Sequence, residues 1–152
     1  MAGDSASRTH TFEVQGQWSG PERRGKVGLG GEQAVVISVP VPFGGNVPGT
    51  NPEELLLASA LSCYMMTLAR VLAGRGLDGR VVDATIIGEV RRTSTGLHFD
   101  CIRLRPLVRM DGLDETGRRW VEEALRNAED ACFIAQTLRP VIPYHLEPIY
   151  GD

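Results

Sequence analysis

Three cysteines, Cys63, Cys101 and Cys132, are the residues of this sequence best suited to chemistry. A thiol attacks an electrophile or binds a metal only as its thiolate, so their surroundings decide whether any of them is reactive. The common alternatives are absent: there is no Walker-type loop, no GxSxG elbow, no HExxH and no CxxC, and Gly28-Leu29-Gly30-Gly31 lacks the GxGxxG spacing. His10, His98 and His145 lie far along the chain from each cysteine and read as ordinary surface or turn histidines rather than metal ligands. Taken singly, each cysteine has a plain reading as core filler, because Cys is among the most buried residue types. Cys101, inside the apolar strand pattern Phe99–Leu107, stays under that reading. Cys63 falls mid-helix between Ser62 and Tyr64, and Cys132 follows a charged stretch near a helix end.

The elements that must position these thiols follow from local patterns. Phe12, Val14, Gly16 and Trp18 alternate, and a second alternating stretch begins near Gly25 after the turn-rich Ser19-Gly20-Pro21, which predicts two strands joined by a loop bearing Glu22, Arg23, Arg24 and Lys26. A third strand is expected over Ala34–Val39, where β-branched residues cluster. The stretch from Pro40 to Thr50 is too dense in Pro and Gly to be a helix or an inner strand. Asn51 as N-cap, Pro52 at the first helical position and Glu54 three residues after the cap then start a helix that should run to about Ala73, where Gly74 and Gly76 stop it. Val81–Arg92 and Leu97–Met110 read as a long hairpin turning at 93–96. From Asp114 a helical stripe of Trp120, Val121, Ala124, Leu125, Ala128 and Cys132 faces away from the charges. The tail from Val141 to Tyr150, with prolines on both sides of its short runs, admits only short or edge strands.

That order is α+β, with segregated antiparallel strands and no βαβ alternation, which disfavours a doubly wound nucleotide fold. The 152 residues suit one domain over 11–152 behind a flexible tail at 1–10. Hydrophobic residues make up 42% and charged residues 23%, and the net charge of -3 with scattered basic residues suggests neither nucleic acid nor an anionic membrane as a partner. The uncharged run Leu55–Ala69 falls short of a bilayer span and reads as a buried core helix. One small chain would struggle to cover it on all sides, so a homodimer is expected. The near-terminal sequence lacks the apolar core of a secretory signal, and few cysteines in a chain this long predict a reducing, cytoplasmic setting rather than a disulfide framework.

The segment Asn51-Pro52-Glu53-Glu54-Leu55 through Ser62-Cys63 resembles the hallmark segment of the OsmC/Ohr family of organic hydroperoxide reductases. In that family Asn-Pro-Glu-(Glu/Gln)-Leu is followed by small residues and then by the peroxidatic cysteine, at the spacing of Glu53 and Cys63. Cys132, after Ala128-Glu129-Asp130-Ala131, resembles the resolving cysteine late in the family's second helix. Trp18-Ser19-Gly20 followed by Arg23-Arg24-Gly25-Lys26-Val27 is similar to the first strand and arginine-bearing loop, with Arg24 the better match to the catalytic arginine and Arg23 the alternative. One departure stands out: the family usually has Cys-Pro-(Val/Ile)-Ser, and this chain reads Cys132-Phe133-Ile134-Ala135. The resemblance covers about Thr11 to Ile149 and implies an OsmC-like α+β fold, antiparallel sheets wrapped around a long central helix in an intertwined homodimer.

The resemblance further implies a reaction. Cys63 thiolate attacks the O–O bond of an organic hydroperoxide and becomes a sulfenic acid, Cys132 condenses with it, and an external dithiol, for which a lipoyl group is a candidate, reduces the disulfide; no metal or flavin cofactor is needed. Elementary helix geometry bears on the roles. Ten residues of helix put Glu53 and Cys63 about 80° apart around the axis and roughly 15 Å apart along it, so Glu53 cannot touch the thiol, whereas an arginine from a loop could hold the carboxylate and donate to sulfur. Mid-helix, Cys63 gains nothing from the N-terminal dipole, and burial opposes its anion. An arginine at ~4 Å and an effective dielectric of ~20 offers about 4 kcal/mol before desolvation, enough to favour the thiolate. Leu56, Met66 and Phe43 are candidates for an apolar substrate pocket. The alternatives are a redox sensor of the same fold, or a binding protein, without sustained peroxidase turnover.

Overall fold

The computed structural model describes residues 8–46, 48–77 and 82–151, with the side chain of Val82 left out. Of the tail expected over 1–10, residues 1–7 lie outside the described set, as does Val81 at the start of the expected hairpin. Two compact units divide the chain, Met1–Pro52 and Glu53–Asp152.

The first unit is a three-stranded antiparallel sheet of β1 (Gly16–Ser19), β2 (Arg24–Gly28) and β3 (Ala34–Ser38), in that order. Gly25 is required at its position: a Cβ would stand 2.4 Å from the Gln17 carbonyl oxygen and 3.0 Å from the Trp18 ring. The first strand is shorter than its alternation predicts, and Phe12 and Val14 are exposed. Register explains this. Gly16 pairs with Val27 and the Gly28 amide donates to the Gln15 carbonyl, so residues before Gln15 would need a partner beyond Gly28. There the chain turns away through Gly30 and Gly31, both at positive φ. The breaker-rich connection holds one 3₁₀ turn, Val41–Phe43, and returns at Thr50, whose backbone bridges Val36 and Ser38.

At the head of the second unit, α1 (Pro52–Ala73) keeps the boundaries its sequence predicts. Its C-terminus is a Schellman turn: the Leu77 amide reaches the Leu72 carbonyl, the Gly76 amide reaches that of Ala73, and Gly76 takes the left-handed conformation at φ 71. The hairpin of β4 (Val82–Thr93) and β5 (Gly96–Arg109) turns through Ser94 and Thr95. The next helix, α2 (Glu115–Ala131), is capped by Asp114, whose side chain accepts from the Gly117 amide at 2.8 Å. Val121, Ala124, Leu125 and Ala128 are fully buried, while Trp120 is not, because one residue back from Val121 is a 100° rotation off the stripe. A separate short helix, α3 (Phe133–Leu138), follows, then β6 (Tyr144–Leu146) and β7 (Ile149–Gly151).

The architecture is α+β, as expected, but not every strand pair is antiparallel: β6 and β7 both pair with β5 in parallel. The physical reason is the connection. From β5 the chain passes through α2 and α3 before pairing again, and a helical crossover returns the chain in the same direction, which a tight turn cannot do. The core of this unit gathers Tyr64, Leu68 and Leu72 of α1, Leu104 and Val108 of β5, and Leu125 with its neighbours on α2. By length and apolarity α1 could cross a membrane, yet Ala60, Cys63, Tyr64, Leu68 and Leu72 form its buried side. The opposite stripe, Ala58, Ser62, Met65, Met66 and Ala69, is exposed in the single chain, which by itself does not cover this helix on all sides.

Candidate active site

Cys63 sits at the middle of α1, on the side turned to the core, and is 6% exposed. A run rich in Leu and Ala, with no Gly before Gly74, makes this stretch a regular helix. The hydroxyl of Thr67 donates back to the Cys63 carbonyl at 2.8 Å, and that of Ser62 donates to Ser59, so these neighbours are engaged with the helix itself. Tyr64 ties α1 to α2 by donating to the Leu125 carbonyl at 3.3 Å, and burial pushes its phenol above the ordinary range.

Cys132 occupies the break between α2 and α3. The sequence places it on a continuation of the α2 stripe; instead it closes α2 and opens α3 in an extended conformation, φ -73 and ψ 105. Its amide reaches back to the Ala128 and Glu129 carbonyls, and its carbonyl accepts from the Gln136 amide at 3.0 Å. The side chain is fully buried, and its Sγ donates to Cys63 Sγ across 2.8 Å. Both residues are free thiols, well outside the ~2.05 Å of a disulfide.

Burial, and then donation to Cys63, push the Cys132 thiol up to about 11, while the amides of Ala135 and Ile134 pull the other way. Cys132 therefore stays protonated at neutral pH and acts as the donor. Tyr144 of β6 packs against the same cluster, its hydroxyl is buried with no hydrogen-bond partner among the described residues, and burial pushes it up to about 12. Glu129, one turn before Cys132, is raised by burial against the opposing pull of Arg139, which pairs with it at 2.8 Å.

The other expected site residues are less concentrated. Arg24 begins β2 and pairs with Glu22 at 3.0 Å, both groups more than half exposed. With Gln17, Trp18, Ser19, Lys26 and Val36 it lines an open concavity of roughly 750 Å³ on the first unit. Arg23 is held differently: it alone among non-glycine described residues has positive φ, 53, and its guanidinium donates to the Gly44 carbonyl. Glu53 lies in the first turn of α1, with one carboxylate oxygen buried and without a hydrogen-bond partner among the described residues. Of the pocket candidates, Leu56 is half-buried and Met66 is exposed.

Cys101 belongs to a different environment. On β5 it lies 3.4 Å from a Glu89 oxygen, whose other oxygen accepts from Arg103 at 2.6 Å, and burial raises its thiol above the ordinary range. Sequence reasoning did not single out Tyr144, Glu129 or Arg139. The only local signal was Arg139-Pro140 after a helical stretch, which marks a helix end and nothing more.

Residues 44–147 match the profile of the OsmC-like proteins, a stretch that runs through both units. The chain is 28% identical over 141 residues to the uncharacterized protein YmaD of Bacillus subtilis, covering 91% of this chain and 93% of the relative. It is 28% identical over 131 residues to the peroxiredoxin OsmC of Escherichia coli, covering 84% of this chain and 90% of that protein. An OsmC-like protein of unknown function from Vibrio cholerae shares the fold with a TM-score of 0.75 at 20% identity, covering 93% of this chain and 100% of the other. The organic hydroperoxide resistance protein OhrB of Bacillus subtilis does so with a TM-score of 0.68 at 20% identity, covering 91% and 98%.

Proposed function

This chain belongs to the OsmC-like protein family, and on that premise we propose that it is a thiol-dependent peroxidase that reduces organic hydroperoxides to alcohols. The observation that carries the reading is the buried contact of Cys132 Sγ with Cys63 Sγ at 2.8 Å, with the proton held on Cys132. A nucleophile and a resolving thiol need that arrangement: one sulfur free to attack, the other protonated and already within reach. The likeness to the peroxiredoxin OsmC of Escherichia coli supports the same chemistry.

Cys63 thiolate attacks the distal peroxide oxygen, the O–O bond breaks, and the alkoxide leaves to take up a proton as the alcohol. Cys63 is then a sulfenic acid. The Cys132 sulfur displaces its hydroxyl, which departs as water with the Cys132 proton, and a Cys63–Cys132 disulfide remains. An external dithiol, with a lipoyl group as the candidate carrier, restores both thiols and is itself oxidised. Arg24 and Glu53 are assigned, by their match to the family motifs, to favouring and orienting the Cys63 thiolate, with Arg23 held in reserve.

A homodimer in the cytoplasm is part of this proposal. The exposed stripe of Ala58, Ser62, Met65, Met66 and Ala69 along α1 supports it, since a second copy would remove that apolar surface from water. Peroxide consumption is measured with cumene hydroperoxide and dihydrolipoamide. Sustained turnover supports an enzyme, whereas oxidation once per chain followed by a halt would replace this reading with that of a redox sensor.

A further inference from the structure

We propose that Arg139 is the positioning residue for Cys132: from the end of α3 it bridges back to the last turn of α2, and so holds the break in which Cys132 sits against Cys63. Its consequence for catalysis rests on the peroxidase reading; its consequence for the meeting of the two thiols does not.

Cys132, at ψ 105, has the extended conformation ordinary for a residue that opens a helix, and its carbonyl accepts from the Gln136 amide, but this local cap does not fix where α3 lies on α2. A proline at the next position would drive the preceding residue toward extended backbone by steric clash alone. Here that position is Phe133, 64% exposed, which imposes no such restriction. Nor can α3 hold the break by its own stability, because it has six residues, far fewer than an isolated helix needs. Something else must keep the sulfur at 2.8 Å from its partner.

Arg139 stands at the C-terminal cap of α3, its amide bound to the Ala135 carbonyl. Its guanidinium crosses the break to meet the Glu129 carboxylate at 2.8 Å and that of Asp130 at 3.1 Å. The three positions enclose Cys132, and fixing α3 at its far end onto α2 leaves the intervening break little freedom. The two carboxylates are unequal. Asp130 accepts the hydrogen bond from Nη1 but is 74% exposed and screened by water, whereas Glu129, 16% exposed, meets Nη2 as a charge contact in which Nη2 makes no hydrogen bond among the described residues; the Glu129 pair is the less screened of the two. Gln136 adds a neutral link across the same break, donating to the Asp130 carbonyl.

The experiment reads thiol proximity directly. The reduced chain is equilibrated with oxidised and reduced glutathione, in which one oxidised glutathione takes two electrons and two protons from Cys63 and Cys132 to yield the protein disulfide and two reduced molecules. The equilibrium constant is the effective concentration of one thiol at the other. Arg139→Met should lower it by about tenfold and Arg139→Lys by less, since lysine keeps the charge but not the fork. Asp130→Asn should stay within about twofold. Circular dichroism checks that each variant is folded, and if Arg139→Met is not, the lysine and Glu129→Gln variants carry the test. A folded Arg139 or Glu129 variant with the parental constant overturns the proposal. In a peroxide arm, Arg139→Met should form the Cys63 sulfenic acid at the parental rate and condense slowly; equal slowing of both steps would mean general loosening and also overturn it. If the parent does not react with peroxide, the peroxidase reading fails while the glutathione equilibrium still decides the role of Arg139.

Discussion

The Sγ of Cys132 donates to the Sγ of Cys63 across 2.8 Å, although the two residues lie 69 positions apart. Burial pushes the Cys132 thiol up to about 11, so this sulfur keeps its proton at neutral pH. Two chemically identical side chains thus meet from different settings, one on a long helix and the other at a helix break.

The roles predict opposite defects. Cys63→Ser should abolish peroxide consumption, since serine supplies no thiolate near neutral pH. Cys132→Ser should reduce about one equivalent of peroxide per chain and then stall as a sulfenic acid that dimedone traps and excess peroxide over-oxidises. Peptide mapping of the parent after one equivalent should find Cys63 joined to Cys132 with Cys101 free; Cys101 in the bridge would reassign the resolving thiol.

Arg24→Met should suppress peroxide reactivity more than Glu53→Gln does, because the first removes the stabilising charge and the second only the group proposed to orient it. The rate of Cys63 alkylation against pH is the direct measurement. An unchanged profile in Arg24→Met would move the assignment to Arg23.

Stability should fall in alkali in a way traceable to Cys132. Its thiol is raised to about 11 in the folded chain, above the unfolded value, so the folded state holds this proton more tightly. The resulting stabilisation is complete below about pH 9 and is lost as pH rises toward 11, with a slope of at most about 1.4 kcal/mol per pH unit. Denaturant unfolding between pH 8 and 11 should show a shallower decline for Cys132→Ala than for the parent, whatever the cavity costs at pH 8. Equal slopes would count against a buried, neutral Cys132.

Gly88 of β4 faces α1 so closely that an added Cβ would lie 2.7 Å from the Phe99 ring and 3.1 Å from both methyls of Leu57. Gly88→Ala should therefore destabilise the chain by about 1–3 kcal/mol, as overpacking does in well-filled cores. Thermal unfolding would report it as a lowered Tm. Gly76→Ala has open space around the new methyl but must hold it at φ 71, and should cost about 1 kcal/mol, from backbone strain alone.

Most element boundaries were legible in the sequence because they are decided within a few residues. Asn51-Pro52 opens α1 and Gly76 closes it by backbone chemistry that needs no distant partner, Asp114 caps α2 from three residues away, and the β4–β5 hairpin turns where a Thr-Ser-Thr-Gly run interrupts two alternating stretches. The family resemblance likewise rests on contiguous motifs around Cys63. What the chain could not disclose locally depends on contacts between remote segments. The first strand begins late because its partner runs out at Gly28, and β6 and β7 run parallel to β5 because two helices intervene. Hydrophobic periodicity carried Cys132 along the stripe of α2, but the break there, the ion pair of Arg139 with Glu129 and the approach of two sulfurs 69 positions apart arise only when α1, α2 and α3 pack on one core. Periodicity reports which face of an element is buried, and only the packed structure decides which side chains meet there.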